Sequence, residues 1–336
     1  MTATGVPDRA ETNGVLELVA TEAARYLEGL DGMPVGAPGA GADLASLDGA
    51  LPERGVGAGA ALEALIATAT SEAVQSAGPR FFHFVIGGVT PAALGADWLA
   101  STLDQNVGLW LSSPLGARLE AVTLSWLRDL FDLPSAWGGV LTTGATMANF
   151  VGLAAARHRC ARRAGFDVEE MGLANAPPIA VVSSGYIHAS ASKALAMLGI
   201  GRAAVTRATR DDAGRVDLEA CERALRAHDG PAIVVANAGE VNAGDFDPID
   251  AMADLAERHG AWLHVDGAFG LFARLSPQSE ALARGVERAD SVTADGHKWL
   301  NVPFDCGFSF VADRDALARA FSMSAAYFVV GDDEHP

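Results

Sequence analysis

From Trp137 onward the chain alternates short, uninterrupted apolar runs with stretches of helical periodicity, and this alternation limits its fold more than any other feature. The runs 138–142, 179–183, 203–206, 232–236, 262–265, 291–294 and 307–311 read as strands. Between them the spacing predicts helices over 147–163, 189–198, 216–227 and 249–260. Strands covered on both faces are apolar throughout, and a strand–helix–strand succession returns each strand parallel to the last through a right-handed crossover. The expected class is therefore α/β, a mostly parallel sheet with helices on both faces. In such sheets ligands bind beyond the carboxyl ends of the strands, so the polar residues that end the runs are the candidates for chemistry.

Upstream of the sheet the texture differs. Val15, Val19, Tyr26, Leu27 and Leu30 recur near helical spacing over 12–30. Residues 32–59 are rich in Gly, Ala and Pro and read as a linker, and a second helix is expected over 60–77. This gives a helical arm and linker at 1–78 and a large domain at 79–336. Gly55-Val-Gly-Ala-Gly-Ala resembles a nucleotide-binding loop only superficially, since its last glycine is missing and no strand precedes it. Half the residues are hydrophobic and a fifth charged, the balance of a globular protein. A formal net charge of −18 argues against nucleic acid and anionic membranes as partners. There is no apolar stretch of membrane-spanning length, and the opening residues lack the basic and apolar regions of a signal peptide, so a cytoplasmic location is expected. Cys160, Cys221 and Cys306 are odd in number and widely spaced, which points to free thiols rather than disulfides or a metal site.

Four polar clusters end the runs. In Thr142-Thr-Gly-Ala-Thr-Met-Ala-Asn149, Gly144 closes a strand and Ala145 and Thr146 open a helix. Free backbone N–H groups and the Thr146 hydroxyl could hold a phosphate there, or a threonine could simply cap the helix. In Ser184-Gly-Tyr-Ile-His188, the histidine is either a cap or a flat ring able to stack on a planar cofactor. Trp262-Leu-His-Val-Asp266 is an apolar strand finishing on a carboxylate, which is costly to bury without a cation or several donors. A protonated pyridine nitrogen would serve, and so would a capped turn. Asp295-Gly-His-Lys298-Trp again follows a strand, and its lysine stands between His297 and Trp299. An apolar neighbourhood would ease loss of the lysine's proton, as a Schiff-base nucleophile requires, whereas a snorkelling lysine is the plainer reading. The chain has only two lysines, and the other, Lys193, falls inside a helix as a surface charge. Phosphate cradle, planar stacker, pyridinium partner and imine lysine thus arrive in order, each at a strand end.

With these residues in view, the sequence resembles the group II pyridoxal-phosphate decarboxylases, the family of aromatic-amino-acid, histidine and glutamate decarboxylases within fold type I. The resemblance runs from Arg80 to Phe310. It rests on Asp295-Gly-His-Lys-Trp-Leu-Asn-Val-Pro-Phe-Asp-Cys306-Gly, His264-Val-Asp-Gly-Ala-Phe-Gly270 and Thr143-Gly-Ala-Thr-Met-Ala-Asn149. Pro79-Arg-Phe-Phe82 and Ser112-Ser-Pro-Leu-Gly-Ala-Arg-Leu-Glu120 match further segments. It implies an aspartate-aminotransferase-like architecture, pyridoxal 5'-phosphate as cofactor, an amino-acid substrate and a homodimer embraced by the amino-terminal arm. The reaction it implies is decarboxylation of an L-amino acid, aromatic ones among the candidates, to an amine and carbon dioxide. Residue by residue, it implies Gly144, Ala145 and Thr146 at the phosphate, His188 against the ring and Asp266 on the ring nitrogen. Ala268 would pack under the ring, Asp295 and His297 would lie on the phosphate side, and Lys298 would form the Schiff base.

Two departures accompany the resemblance. Ala238-Gly-Glu-Val-Asn242 stands where well-known members carry a pair of threonines, which leaves the ring oxygen without an assigned contact. The chain also stops at Pro336, where the family continues through a mobile loop and a C-terminal small domain. A chain ending there is expected to hold cofactor and to turn over substrate poorly, with Tyr26, Tyr186 and Tyr327 the only tyrosines available as proton donors. An aminotransferase or carbon–carbon lyase on the same scaffold, or an inactive cofactor-binding fragment, are the alternatives, because a fold does not fix which Cα bond breaks.

Overall fold

The computed structural model describes residues 9–36 and 44–321. Contacts divide the chain into two compact units, 1–88 and 89–336. In the first, α1 (Arg9–Gly29) and α2 (Ala58–Glu72) pack on each other. The glycine-rich Gly55–Gly57 stretch runs straight into α2 with no strand before it among the described residues, as a linker does and a nucleotide loop does not.

The second unit opens with α3 (Pro91–Leu103) and α4 (Pro114–Leu130). Each starts on a hydroxyl cap followed by proline: Thr90 accepts from the Ala93 N–H and Ser113 from the Gly116 N–H. Proline at the first helical position surrenders an N–H that would have had no partner there. There follow β1 (Gly138–Thr142), α5 (Ala145–Arg163), the short α6 (Val168–Met171), β2 (Ala180–Ser183) and α7 (Ala189–Met197). The chain continues through β3 (Val205–Arg207), α8 (Leu218–Arg226), β4 (Ala232–Asn237), α9 (Ile249–His259) and β5 (Trp262–Asp266). It ends, among the described residues, with β6 (Ser291–Asp295), α10 (Gly296–Trp299), β7 (Gly307–Val311) and α11 (Arg314–Ala320).

All seven strands form one sheet in the order β1-β7-β6-β5-β4-β2-β3. The five strands from β6 to β3 are parallel, and β7 runs antiparallel to both β6 and β1. The carboxyl ends of β1, β2, β4, β5 and β6 therefore share one edge, with the amino end of β7 among them. The expected mostly parallel α/β sheet is observed, and the strands match their sequence readings to within two residues at each end. The exception in character is β3, where the run begins as a single 3-10 turn (Arg202–Ala204) before it extends.

Two apolar layers cover the sheet. Val234, Ala236, Leu263 and Val265 point into one layer with α4, α8 and α9. Ile233, Val235 and Trp262 point into the other with α5, α7 and α11. Because side chains alternate along a strand, this register decides which polar residues meet α5. On β5 the set is Trp262, His264 and Asp266; on β6, paired to it through His264↔Ser291 and Asp266↔Thr293, it is Ser291, Thr293 and Asp295.

Helix α5 can lie close to that polar row because its buried face is built from Gly152 and alanines such as Ala148 and Ala155. A Cβ on Gly152 would sit 2.9 Å from His264 Cε1, so glycine at this place is what lets the imidazole stand under the helix. At the helix's amino end a second glycine does similar work: a Cβ on Gly307 would lie 2.5 Å from the Gly144 carbonyl carbon.

Candidate functional site

The site is the strand-end edge where β5, β6 and the amino terminus of α5 meet. Gly144 adopts φ +83 as the N-cap of α5, and a Cβ there would meet nothing within 4 Å. The Ala145 N–H donates to Asp295 Oδ2 at 3.0 Å, while Thr146 is exposed. Asp295 thus occupies one of the helix-terminal donors expected for phosphate. Its other oxygen lies 2.8 Å from His297 Nδ1. Burial raises the Asp295 carboxyl above the usual carboxylate range and lowers His297 below the usual imidazole range, with each partner opposing the other's shift. The His297 ring stacks on Phe304 at 4.0 Å. The Asp295 N–H donates to the Ala268 carbonyl, which ties the end of β6 to the turn after β5.

Lys298 sits in α10 directly after β6, half-buried, with Nζ 5.3 Å from the centre of the Phe269 ring. It forms no ion pair among the described residues. Lys193, by contrast, is exposed within α7. His188 is the N-cap of α7: its Nδ1 accepts from the Ser190 N–H at 3.2 Å and lies 2.7 Å from Ser190 Oγ. The cap leaves the exposed ring held in one orientation, so capping and stacking are compatible roles.

Asp266 ends β5 with its side chain buried. Oδ2 accepts from Asn149 Nδ2 at 2.9 Å and Oδ1 from the Ala268 N–H at 3.2 Å, and no arginine or lysine pairs with it among the described residues. Asn149 is a residue that sequence reasoning quoted without a role. Its Nδ2 also donates to Ser190 Oγ at 3.0 Å, and its Oδ1 lies 2.9 Å from His264 Nε2. His264 Nδ1 is 2.8 Å from Ser291 Oγ, which accepts from Trp262 Nε1 at 2.8 Å. An asparagine inside an alanine-rich helical stretch was the available signal, since asparagine is a poor helix former unless its amide is needed. The histidine inside an otherwise apolar strand was another.

Full burial lowers the His264 imidazole to about 4, with Asp266 the one charge that opposes the effect. Its packed neighbours at the ring nitrogens, Asn149 and Ser291, are uncharged. The sign follows directly: an unfolded chain protonates His264 near 6.5, the folded one only near 4, so stability is lost as pH falls through that interval. The gap corresponds to about 3 kcal/mol. In denaturant titrations between pH 7 and 4, wild type is expected to lose up to that amount relative to His264→Gln, which has no proton to gain there. A constant difference across the range would show that His264 titrates normally.

Glu240, in the segment that departs from the family pattern, is buried and caps its own turn, with Oε2 accepting from the Asn242 N–H at 2.6 Å. The Tyr186 hydroxyl donates to Asp245 at 3.0 Å, and Tyr26 lies in α1 of the other unit. Tyr327 lies outside the described residues. Phe81 and His83 of the first unit meet edge to face at 5.5 Å. The three cysteines are free, and burial pushes the Cys306 thiol up to about 11 and Cys160 and Cys221 to about 12, which makes them inert at neutral pH.

A family model described as the pyridoxal-dependent decarboxylase conserved domain matches residues 48–334. Among curated proteins, the chain is 31% identical over 253 residues to an aromatic-L-amino-acid decarboxylase of Bacillus atrophaeus, covering 74% of this chain and 50% of that one. It is 34% identical over 281 residues to an L-2,4-diaminobutyrate decarboxylase of Rhizobium meliloti (strain 1021), covering 82% and 54%. The chain therefore spans about half the length of these relatives. Among solved structures, mouse CSAD in apo form superimposes with a TM-score of 0.86 at 29% identity, covering 97% of this chain and 69% of that one. Oryza sativa TDC with PLP and tryptamine gives 0.87 at 25% identity, covering 96% and 68%.

Proposed function

The chain belongs to the pyridoxal-dependent decarboxylase family, and from that premise we propose that it binds pyridoxal 5'-phosphate and serves the decarboxylation of an L-amino acid to an amine. The observation that carries the reading is Asp266: a buried carboxylate with two neutral donors and no countercharge among the described residues, one strand away from a lysine that is equally without an ion pair. Such a carboxylate calls for a cation, and a protonated pyridine nitrogen is one. The open space at Gly144, at the head of α5, fits a phosphate.

In this reading Gly144 and Thr146 hold the phosphate, joined by Ala145 once its N–H leaves Asp295, with Asp295 and His297 beside it. His188 lies against the ring from the cap of α7, and Ala268 packs against it from the turn after β5. Asp266 holds the proton on the ring nitrogen. Lys298, beside Phe269 and without an ion pair among the described residues, is the amine that would hold the cofactor's aldehyde and could later hold a proton. When bound, the cofactor supplies an electron-poor ring that accepts the electron pair of the breaking Cα–carboxylate bond.

A homodimer and a cytoplasmic location belong to the same reading. Leu115, Leu119 and Trp126 form an exposed apolar stripe along α4 that suits a second copy, and the free thiols suit a reducing compartment. The test is a panel of L-amino acids incubated with cofactor-loaded protein, measuring carbon dioxide, amine and keto acid together. Amine and carbon dioxide in equal amounts are expected. Keto acid instead would move the assignment to an aminotransferase, and a protein that takes up no cofactor would overturn the reading.

A further inference from the structure

The hydrogen bonds that converge on Asp266 have only one consistent set of donors and acceptors. An ionised carboxylate can only accept, so the Asn149 group facing it is Nδ2, and Oδ1 must face His264. His264 Nε2 therefore carries the proton. A neutral ring leaves Nδ1 without one, so Nδ1 accepts from the Ser291 hydroxyl, and Ser291 Oγ in turn accepts from the Trp262 indole, which can only donate. A donor-only group thus stands at one end and an acceptor-only group at the other. Every bond between them, through Ser291, His264 and Asn149, points its hydrogen toward Asp266.

The fold builds this row deliberately close. Strand alternation puts Trp262, His264 and Asp266 on one face of β5, register sets Ser291 opposite His264, and Gly152 gives α5 the room to bring Asn149 onto both. All five side chains are nine-tenths or more buried. Aligned hydrogen bonds in a dry interior polarise one another, so the row adds to the field at its end more than separate bonds would.

We propose that Trp262, Ser291, His264 and Asn149 form a one-directional relay that orients Asp266 and favours negative charge on it, so that Asp266 keeps the ring nitrogen of bound pyridoxal 5'-phosphate protonated. The inference rests on the cofactor reading above and assigns positioning roles to four residues that touch neither cofactor nor substrate.

Two measurements separate the relay from that reading. In protein without cofactor, nitrogen-15 spectra of the histidines, with His264 assigned by its loss in His264→Gln, are expected to show a neutral ring protonated at Nε2. A ring protonated at Nδ1, or at both nitrogens, overturns the relay whatever the protein binds. In protein loaded with pyridoxal 5'-phosphate labelled with nitrogen-15 in the ring, the wild-type resonance is expected at the position of a protonated pyridine. In Asn149→Ala and Ser291→Ala it moves toward the unprotonated position and the dissociation constant of the cofactor rises roughly tenfold. His264→Gln, whose amide can both donate to Asn149 and accept from Ser291, retains the wild-type signal. Cofactor uptake with an unchanged ring resonance in both alanine variants overturns the relay alone. No uptake by wild type overturns the functional reading and this inference with it.

Discussion

Replacing Lys298 with alanine is expected to abolish the lysine-imine absorption band of the cofactor-loaded protein and, on the proposed reaction, to lower amine production by at least a thousandfold, whereas Lys193→Ala is expected to change neither. A lysine imine of the ring-conjugated aldehyde absorbs at longer wavelength than the free aldehyde, and the chain has only these two lysines. Lys298 follows β6 at the strand-end edge, beside Phe269, while Lys193 is exposed on α7. A thousandfold corresponds to about 4 kcal/mol of barrier, a size in keeping with losing a covalent nucleophile rather than a contact. Borohydride reduction followed by peptide mapping checks the assignment independently of turnover. A label on Lys193, or a band that survives in Lys298→Ala, would remove Lys298 from the site.

Asp266→Ala is expected to cost several orders of magnitude in turnover while cofactor still binds. The two faces of the argument are separable in space. The residues at the head of α5 proposed to hold phosphate are distinct from the carboxylate at the β5 terminus, so affinity is expected to persist in part; the proposed countercharge for the ring nitrogen is lost, so the ring's power to accept electrons is expected to fall. The same change leaves the Asn149 amide without its strongest acceptor in a buried place, and some loss of stability accompanies it. Comparing rates at saturating cofactor, with the folded fraction measured on the same samples, isolates the chemical effect. A rate within about tenfold of wild type, about 1.4 kcal/mol of barrier, would deny Asp266 its role.

The sheet was legible because its strands are covered on both sides, which forces continuous apolar runs such as 232–236. The strand-end polar residues were legible for the complementary reason: a carboxylate or lysine stands out at the end of such a run. Two kinds of feature were not. Helices α3 and α4 bury little of their own apolar surface, with only Leu124 and Leu127 of α4 buried, so their periodicity is blurred by exposed residues such as Leu115 and Trp126. The Thr90-Pro91 and Ser113-Pro114 pairs would have marked both starts. The partners of Asp266 were hidden more deeply. Asn149 lies 117 positions away in sequence, and its meeting with His264 depends on the helix phase of α5, the register of β5 against β6 and a glycine at 152. None of these is a local property. Single residues that were weighed as either cap or functional group, His188 and Asp266, do in fact cap their own turns, because a side chain held by a neighbouring N–H is also one whose remaining surface is fixed.

Helix α5 packs on β5, β6 and β7 below and on α7 and α11 beside it, with residues such as Leu153 and Ala155 wholly enclosed. A segment so held has no route to local opening, because its amides become free only when the layer around it comes apart. Asn149 near its start and the donors at its head therefore belong to the cooperative heart of the second unit, not to a loop that can loosen on its own. Whatever binds at that edge is coupled to the melting of the entire unit: its affinity is added to global stability as RT ln(1 + [L]/Kd), and its departure is felt in every strand.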